Sequence, residues 1–335
     1  MLSSVRVRAR QFPRLPRLHN PAIRRQSLLI IRQVRNAYRR RSFFHFRGRR
    51  FASDWGKGGF VLKLLERTIS SLDERLILLA PTARIPGFFK NVEHDTMGHQ
   101  RLVREMQRLR GKIYLDDGAL ERTQLTFDGL HETAEDHKSW HLLTVDSRRR
   151  VTGCAWYLEH PNSVGVDDLR VRHTPLARSA EWRGKLWKGV QSELKRARRE
   201  QLRYAEVGGW AVSEQSRCTS EGLVLALAGY SLGRICGGCL GITTATVRHC
   251  SSSILRRLGG APLAADGAPV PSYYDPRYGC EMEILRFDSR RPNPKFNNLI
   301  ERLREKMASV SILAPAVLPA HQRPAYFGEA AALAS

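Results

Sequence analysis

Residues 204–232 read YAEVGGWAVSEQSRCTSEGLVLALAGYSL, and this stretch decides the fold. The apolar run over 204–212 is typical of a buried strand, and the polar residues 213–220 predict a loop. The second apolar run, over 221–232, is long enough for a buried helix. The first amides of a helix lack partners within it, and with the helix dipole they attract phosphate. The stretch therefore predicts a strand, a phosphate-binding loop and a helix.

The elements on either side extend this unit into a mixed sheet. Apolar residues at helical spacing predict further helices over 60–80, 100–110, 179–203, 251–258 and 297–307. Short β-like runs predict further strands over 112–115, 139–145, 151–158, 239–247 and 281–287. The order of these elements indicates an α/β (α+β) fold, in which helices flank a mixed sheet.

The positive charge of the chain is concentrated in its first 50 residues. The 335 residues include 56 Lys or Arg and 32 Asp or Glu, which gives a formal charge of +24. The first 50 residues contain 15 arginines and no lysine or acidic residue, so the rest of the chain carries +9. Such an arm is typical of a transit peptide, a nucleic-acid-binding or membrane-surface arm, an over-extended translation start, or a disordered tail.

The remaining composition indicates a soluble body. An apolar fraction of 42% excludes a mostly disordered chain, and no apolar run reaches the roughly 18 residues of a membrane span. We expect a cytoplasmic protein, or one of an organellar matrix if the arm is a transit peptide. The expected segments are an Arg-rich arm (1–55), a helical N-terminal segment (56–110), the main domain (111–310) and an Ala/Pro-rich tail (311–335).

The six cysteines are scattered through segments that otherwise resemble core, which favours reduced thiols over disulfides. One alternative is a zinc site formed by Cys236-x-x-Cys239 and His249-Cys250. The glycines between the first pair are typical of a turn, and the two pairs are closer than in zinc fingers. The sequence therefore predicts no metal.

The loop and the order of elements resemble those of the GNAT acyltransferases. Their pyrophosphate loop reads Gln/Arg-x-x-Gly-x-Gly/Ala, and Arg217, Ser220 and Gly222 stand at its defined positions, with Ser in the middle. The hairpin strand that begins Val151-Thr152-Gly153-Cys154 and the elements that follow it keep the GNAT order. Within that superfamily the chain is most similar to acyl-homoserine-lactone synthases and N-acyl amino acid synthases, over roughly residues 112–287.

This resemblance implies a mostly antiparallel GNAT-like sheet and a thioester donor, either acyl-CoA or an acyl carrier protein. The donor would be held by the loop and the strand before it. The residues expected to bind it are Val207, Gly208, Gly209, Trp210, Val212, Arg217, Cys218, Thr219, Ser220, Glu221 and Gly222.

Acyl transfer from a thioester to an amine needs a base for the ammonium proton and an N–H donor for the carbonyl oxygen. Glu206 aligns with the glutamate of the family's central strand, and burial would raise its pKa toward that of a useful base. The alternative is an exposed charge paired with a lysine or arginine. The amides of residues 207–210 are candidate donors, because Gly208 and Gly209 allow close approach of a ligand. A β-bulge without a ligand is the other interpretation.

The resemblance also implies an acceptor site and a general acid. Acidic residues before the strand at 139 contact the amine in the autoinducer synthases, so Glu135 and Asp136 are expected to bind an acceptor ammonium; a solvated loop is the alternative. Trp156 replaces an arginine of the family's hairpin and is expected to line the substrate site. A tyrosine often acts as general acid, and Tyr274 is the candidate here.

The sequence thus predicts an enzyme, an N-acyltransferase that acylates an amino group of a small molecule. The alternative is a basic nucleic-acid-binding protein, in which the Arg-rich arm grips phosphate and the α/β body has no catalytic role. Positive charge does not separate the two functions, because a basic surface also suits an acidic acyl carrier protein.

Overall fold

The computed structural model describes residues 58–316, apart from Asp73, Ala83, Arg84, Cys218 and His249, and for residues 58–61 it describes the backbone alone. The predicted arm, the tail beyond residue 316 and Cys218 of the predicted loop therefore lie outside the described residues.

The described chain contains both helices and strands. The helices are α1 Gly58–Ser70, α2 Thr96–Asp116, α3 Pro175–Arg178, α4 Arg183–Arg199, α5 Glu221–Ile235, α6 Ser251–Leu258 and α7 Asn297–Met307. The strands are β1 Leu76–Leu79, β2 Val92–His94, β3 Trp140–Val145, β4 Val151–His160, β5 Arg203–Val212, β6 Cys239–Thr246, β7 Ala261–Pro262, β8 Ala264–Ala265, β9 Ala268–Pro269, β10 Tyr273–Asp275, β11 Cys280–Asp288 and β12 Ser311–Ala314.

Ten of these strands form one sheet in the order β10-β11-β6-β5-β4-β3-β1-β12-β2, with β7 attached to β11. Neighbours pair antiparallel except for β5 with β6, β1 with β12, and β12 with β2, which are parallel. The predicted fold class, a mixed and mostly antiparallel sheet flanked by helices, is confirmed.

The two faces of the sheet carry different helices. Leu102 and Met106 of α2 share a core cluster with Cys154 and Ala211, and Leu186 of α4 packs in a second cluster over β5 and β6. Because side chains alternate along a strand, Gly153 faces the opposite side, where a Cβ would meet Leu225 of α5 at 2.9 Å. The α2 and α4 face carries the candidate site described below.

Three predicted elements are wrong. The helix predicted over 60–80 ends at Ser70, and Leu76–Leu79 forms the buried strand β1. The prediction failed because periodicity cannot distinguish a helix from a strand in so short an apolar run. The strand over 112–115 is the last turn of α2. The tail predicted from residue 311 begins with β12, which pairs with β1. The boundaries at 110/111 and 310/311 therefore do not separate structural units, since β1, β2 and β12 belong to the main sheet.

Candidate active site

A wedge opens between the parallel strands β5 and β6. Their register pairs run only from Arg203–Cys239 to Glu206–Ile242. Beyond that point β5 stays paired with β4 as far as Val212, while β6 stays paired with β11 as far as Thr246. The carboxyl halves of two central strands are thus separated, which leaves backbone edges that a ligand can contact.

A β-bulge lies where the wedge begins. The register between β4 and β5 shifts between Cys154 and Trp156, opposite Gly208 and Gly209, and Gly209 has a φ of 61°. A Cβ on Gly208 would lie 2.5 Å from the Trp156 ring, and one on Gly209 would lie 2.2 Å from it. On this face the two glycines make room for the Trp156 indole.

Glu206 is the last residue of β5 that pairs with β6, and its side chain is buried, with the residue 4% exposed. Its Oε2 accepts hydrogen bonds from His160 Nε2 at 3.0 Å and from the backbone N–H of Arg170 at 3.1 Å. No described residue donates a hydrogen bond to Oε1. The alternative of an exposed charge paired with lysine or arginine is wrong.

Arg170 links Glu206 to the predicted acceptor region. It begins a short 3-10 segment, Arg170–His173, and its guanidinium lies 5.5 Å from the centre of the Trp156 ring. The same guanidinium forms an ion pair with Glu135. The fold therefore brings Glu135, Trp156 and Glu206 together, although they are distant in the sequence.

Asp136 differs from its neighbour and from its predicted role. Its Oδ1 accepts hydrogen bonds from Arg110 and Thr133, and its Oδ2 accepts from Arg110, Gln107 and the Thr133 amide. Burial alone would raise the pKa of Asp136, but its hydrogen bonds and ion pair with Arg110 hold that pKa at about 2. Both side chains of the pair are almost fully buried. No oxygen of Asp136 remains for an acceptor ammonium.

The predicted general acid lies away from the wedge. Tyr274 is 61% exposed on β10, which is separated from β5 by β11 and β6. Tyr278 is half-buried, and burial raises its pKa, while the charges of Arg277 and Arg170 act in the opposite direction. Tyr114 of α2 has a pKa raised by burial and by the nearby Tyr278. Both phenols lie near the charges of Arg110 and Arg170, whereas Tyr274 lies beyond two intervening strands.

The predicted phosphate loop follows the wedge side of β5. The first amides of a helix have no partner within it, and among the described residues none accepts a hydrogen bond from the amide of Leu223 in the first turn of α5. The Glu221 amide, by contrast, donates to Thr219 Oγ1 at 3.2 Å. Arg217 is 32% exposed in its side chain and donates from Nη2 to Asp117 Oδ1 at 3.2 Å. These amides and Arg217 could hold an anion.

Other side chains of the predicted loop have structural contacts instead. Ser220 shares a 2.6 Å hydrogen bond with Thr68 of α1, and the buried Glu221 carboxylate accepts from Thr152 of β4. Both therefore attach the loop to the body of the domain. Trp210 packs on Gly222, where a Cβ would be 3.2 Å from its ring, and Val212 lies beside it.

Sequence reasoning missed His160, Arg170 and Arg110, whereas Tyr278 was one of the three downstream tyrosines, with Tyr273 and Tyr274, that it considered for the general acid. His160 faces Tyr204 in the β4–β5 register and reaches Glu206 as a diagonal neighbour, so an antiparallel alignment of the two predicted strands could have found it. Arg110 lies at the end of the helix predicted over 100–110, but nothing local indicates its partner, and Arg170 comes from a 3-10 segment for which the sequence carries no local signal.

The described residues contain neither a metal-binding cluster nor a membrane-spanning helix. No group of three or more His, Cys, Asp or Glu side chains there is arranged to hold a metal, and His249 of the zinc alternative lies outside that part. Among the described helices, none combines the length and apolarity needed to cross a bilayer.

Comparisons with known proteins find similarity among solved structures alone: no family model and no curated protein matches the chain. BjaI, a CoA-dependent acyl-homoserine lactone synthase solved with SAM and isopentyl-CoA, is 13% identical, with 73% of this chain and 94% of that chain covered and a TM-score of 0.43. FeeM, an N-acyl amino acid synthase from uncultured soil microbes, is 13% identical over 55% and 83%, with a TM-score of 0.36. Arylalkylamine N-acetyltransferase 2 from Aedes aegypti is 16% identical over 58% and 96%, with a TM-score of 0.37.

Proposed function

We propose that this protein is an N-acyltransferase, which moves an acyl group from a thioester to an amine of a small molecule. One observation carries the proposal: a buried glutamate, Glu206, with one oxygen free of described partners, lies where the parallel strands β5 and β6 separate. A base beside an open backbone edge is what aminolysis of a thioester requires.

The donor would lie in the wedge. Its thioester arm would run along the separated edge of β5, where those amides of residues 207–210 that point away from β4 would polarise the carbonyl. The mouth of the wedge is the open end, where β5 and β6 end. There, Arg217 and the first amides of α5 suit the phosphate of acyl-CoA or of a carrier-protein pantetheine. The binding experiment described below distinguishes these two donors.

The acceptor would approach from the face of the sheet that carries α2 and α4. Glu206 takes one proton from the acceptor ammonium, and the freed nitrogen lone pair attacks the thioester carbonyl carbon. The C–N bond forms, the C–S bond breaks, and the thiolate leaves with a proton supplied by Tyr278. The second proton lost by the nitrogen restores the Tyr278 hydroxyl, and Glu206 releases its proton to solvent. Arg170 and Glu135 border this approach, and Arg170 also holds Glu206 through its amide.

Calorimetry on the full chain tests the donor. CoA, acyl-CoA of several chain lengths and an acylated carrier protein are titrated separately, and one of them is expected to bind. Thiol release is then followed with a panel of primary amines, and product is identified by mass spectrometry. If none of these donors binds, or if bound donor is never transferred to an amine, the protein is not an N-acyltransferase.

A further inference from the structure

Asp117 connects the two sides of the wedge at its mouth. It follows the last residue of α2, and its Oδ1 accepts a hydrogen bond from Nη2 of Arg217, in the loop after β5, at 3.2 Å. Its backbone carbonyl accepts from Nη2 of Arg248, in the segment after β6, at 3.0 Å. One residue thus contacts both loops that a donor must pass between.

The carboxylate of Asp117 pairs with the guanidinium of Arg217, which is the positive charge that the proposed donor needs. Arg217 is the only basic residue of the loop over 213–220. The Arg217 and Asp117 side chains are 32% and 23% exposed, and ion pairs at such partly exposed positions contribute about 1 kcal/mol or less. The diphosphate of CoA carries more negative charge than one carboxylate and forms strong hydrogen bonds with arginine. The Asp117 contact is therefore weak enough for a phosphorylated donor to replace.

We propose that Asp117 is a resident anion, which holds Arg217 in the free protein and is displaced by the phosphate of the donor. This inference rests on the proposed function and deepens it. A thioester without phosphate has nothing to exchange for the Asp117 contact, so the pair selects for donors that bring phosphate to the mouth of the wedge.

The test compares Asp117→Asn with Asp116→Asn in the full chain. Asp116 is the adjacent residue, half exposed, and pairs with Lys112 Nζ at 2.7 Å. Both substitutions change the net charge equally, so Asp116→Asn controls for general attraction of an anion. Calorimetry with CoA and with phosphate-free pantetheine gives four affinities beside those of the unsubstituted protein.

Asp117→Asn should bind CoA about 2–5-fold more tightly, which corresponds to a competing contact of about 0.5–1 kcal/mol. Asp116→Asn should not change the affinity for CoA, and neither variant should change the affinity for pantetheine. In Arg217→Met, CoA should bind more weakly, and adding Asp117→Asn to that variant should have no further effect.

Other outcomes overturn the inference. Weaker binding of CoA by Asp117→Asn would mean that Asp117 positions Arg217 for phosphate. Equal gains in both variants would indicate a general charge effect, and a gain for pantetheine would indicate relief of a steric block. If the unsubstituted protein binds CoA and the variants do not differ, the inference alone fails. If no form binds any thioester donor, the proposed function fails with it.

Discussion

Two buried carboxylates on the α2 side of the sheet have different surroundings. Asp136 is bonded through both oxygens to Arg110, Gln107 and Thr133. Glu206 is bonded through Oε2 alone, to His160 and the Arg170 amide, and no described residue donates to its Oε1.

The difference separates a structural charge from a reactive one. A carboxylate whose lone pairs are all occupied stabilises its partners, and it cannot accept a proton without losing several hydrogen bonds. A carboxylate that is held in place by one oxygen keeps the other for a substrate. Burial, which the two share, therefore does not identify the base. The number of donors on each oxygen does.

The largest effect is expected for Glu206→Gln. The amide keeps the shape of the side chain but cannot take a proton, so turnover should fall about 10²–10⁴-fold. The dissociation constant of the donor should stay within about twofold, because the wedge and the loop are unchanged. Steady-state kinetics and calorimetry on the same preparations measure the two quantities.

Glu193→Gln is the matched control for that experiment. Glu193 is a buried glutamate of α4, 9% exposed, which pairs with Arg196 and Arg286. Its turnover per folded molecule should match that of the unsubstituted protein. An equal loss in both variants, or normal turnover in Glu206→Gln, would remove Glu206 from the mechanism.

Asp136→Asn should lower the stability of the fold rather than impair the chemical step specifically. It leaves the Arg110 guanidinium buried without its counter-charge, which lowers the free energy of unfolding by about 3–5 kcal/mol. Asp128→Asn removes the charge from a 2.8 Å contact with Arg104 between exposed side chains, and should lower the free energy of unfolding far less. Denaturant unfolding measures both, and similar losses would show that the Asp136 pair is not special.

The contrast between the two carboxylates shows how far the sequence predicts this site. The strand, loop and helix over 203–235 were predicted closely, as were α6 and α7 at their observed bounds, because each has its own period and end signals. Glu206 followed from the position of its strand in that order. The pairing of Asp136 with Arg110 could not follow, since residues 112–115 were assigned to a strand and the extent of α2 was missed.

The remaining parts of the site depend on tertiary contacts. His160, Arg170 and Tyr278 come from a strand end, a 3-10 segment and a loop, and each approaches Glu206 or its surroundings from a different layer. The role of Gly208 and Gly209 likewise depends on a cross-strand neighbour, Trp156, whose ring direction no local pattern specifies.

Gly209→Ala tests the bulge beside Glu206. The substitution places a Cβ about where the Trp156 ring lies and forces a residue with a side chain to a φ of 61°. We expect the free energy of unfolding to fall by about 2 kcal/mol, from overpacking and backbone strain together. Gly237→Ala is the control, because Gly237 has a φ of 92° and open space around its Cβ position. Its free energy of unfolding should fall by about 1 kcal/mol, from backbone strain alone. An equal loss at both sites would mean that the Trp156 ring moves aside without cost.

The smallest effect concerns pH and the histidines around Asp136. Burial lowers the pKa of His141 to about 4, and burial with the charge of Arg110 lowers that of His131 to about 4. His141 Nε2 bonds to the Asp136 carbonyl, so Nε2 is the donor, while Nδ1 is buried without a described partner. Protonation of Nδ1 is therefore easier in the unfolded chain, whose histidines titrate near 6.5.

The free energy of unfolding that these neutral histidines contribute should accordingly be fully present above pH 6.5 and should decline as the pH falls toward 4. The pKa of Asp136, about 2, places its own loss below pH 4, so the histidines alone act between pH 6 and pH 5. His141 should contribute a loss of about 1 kcal/mol over that unit. His141→Gln keeps a donor for the Asp136 carbonyl but cannot titrate, so denaturant unfolding at the two pH values should show a smaller difference. An unchanged difference would mean that His141 is already protonated in the folded protein, and that the saturated carboxylate tolerates a charge beside it.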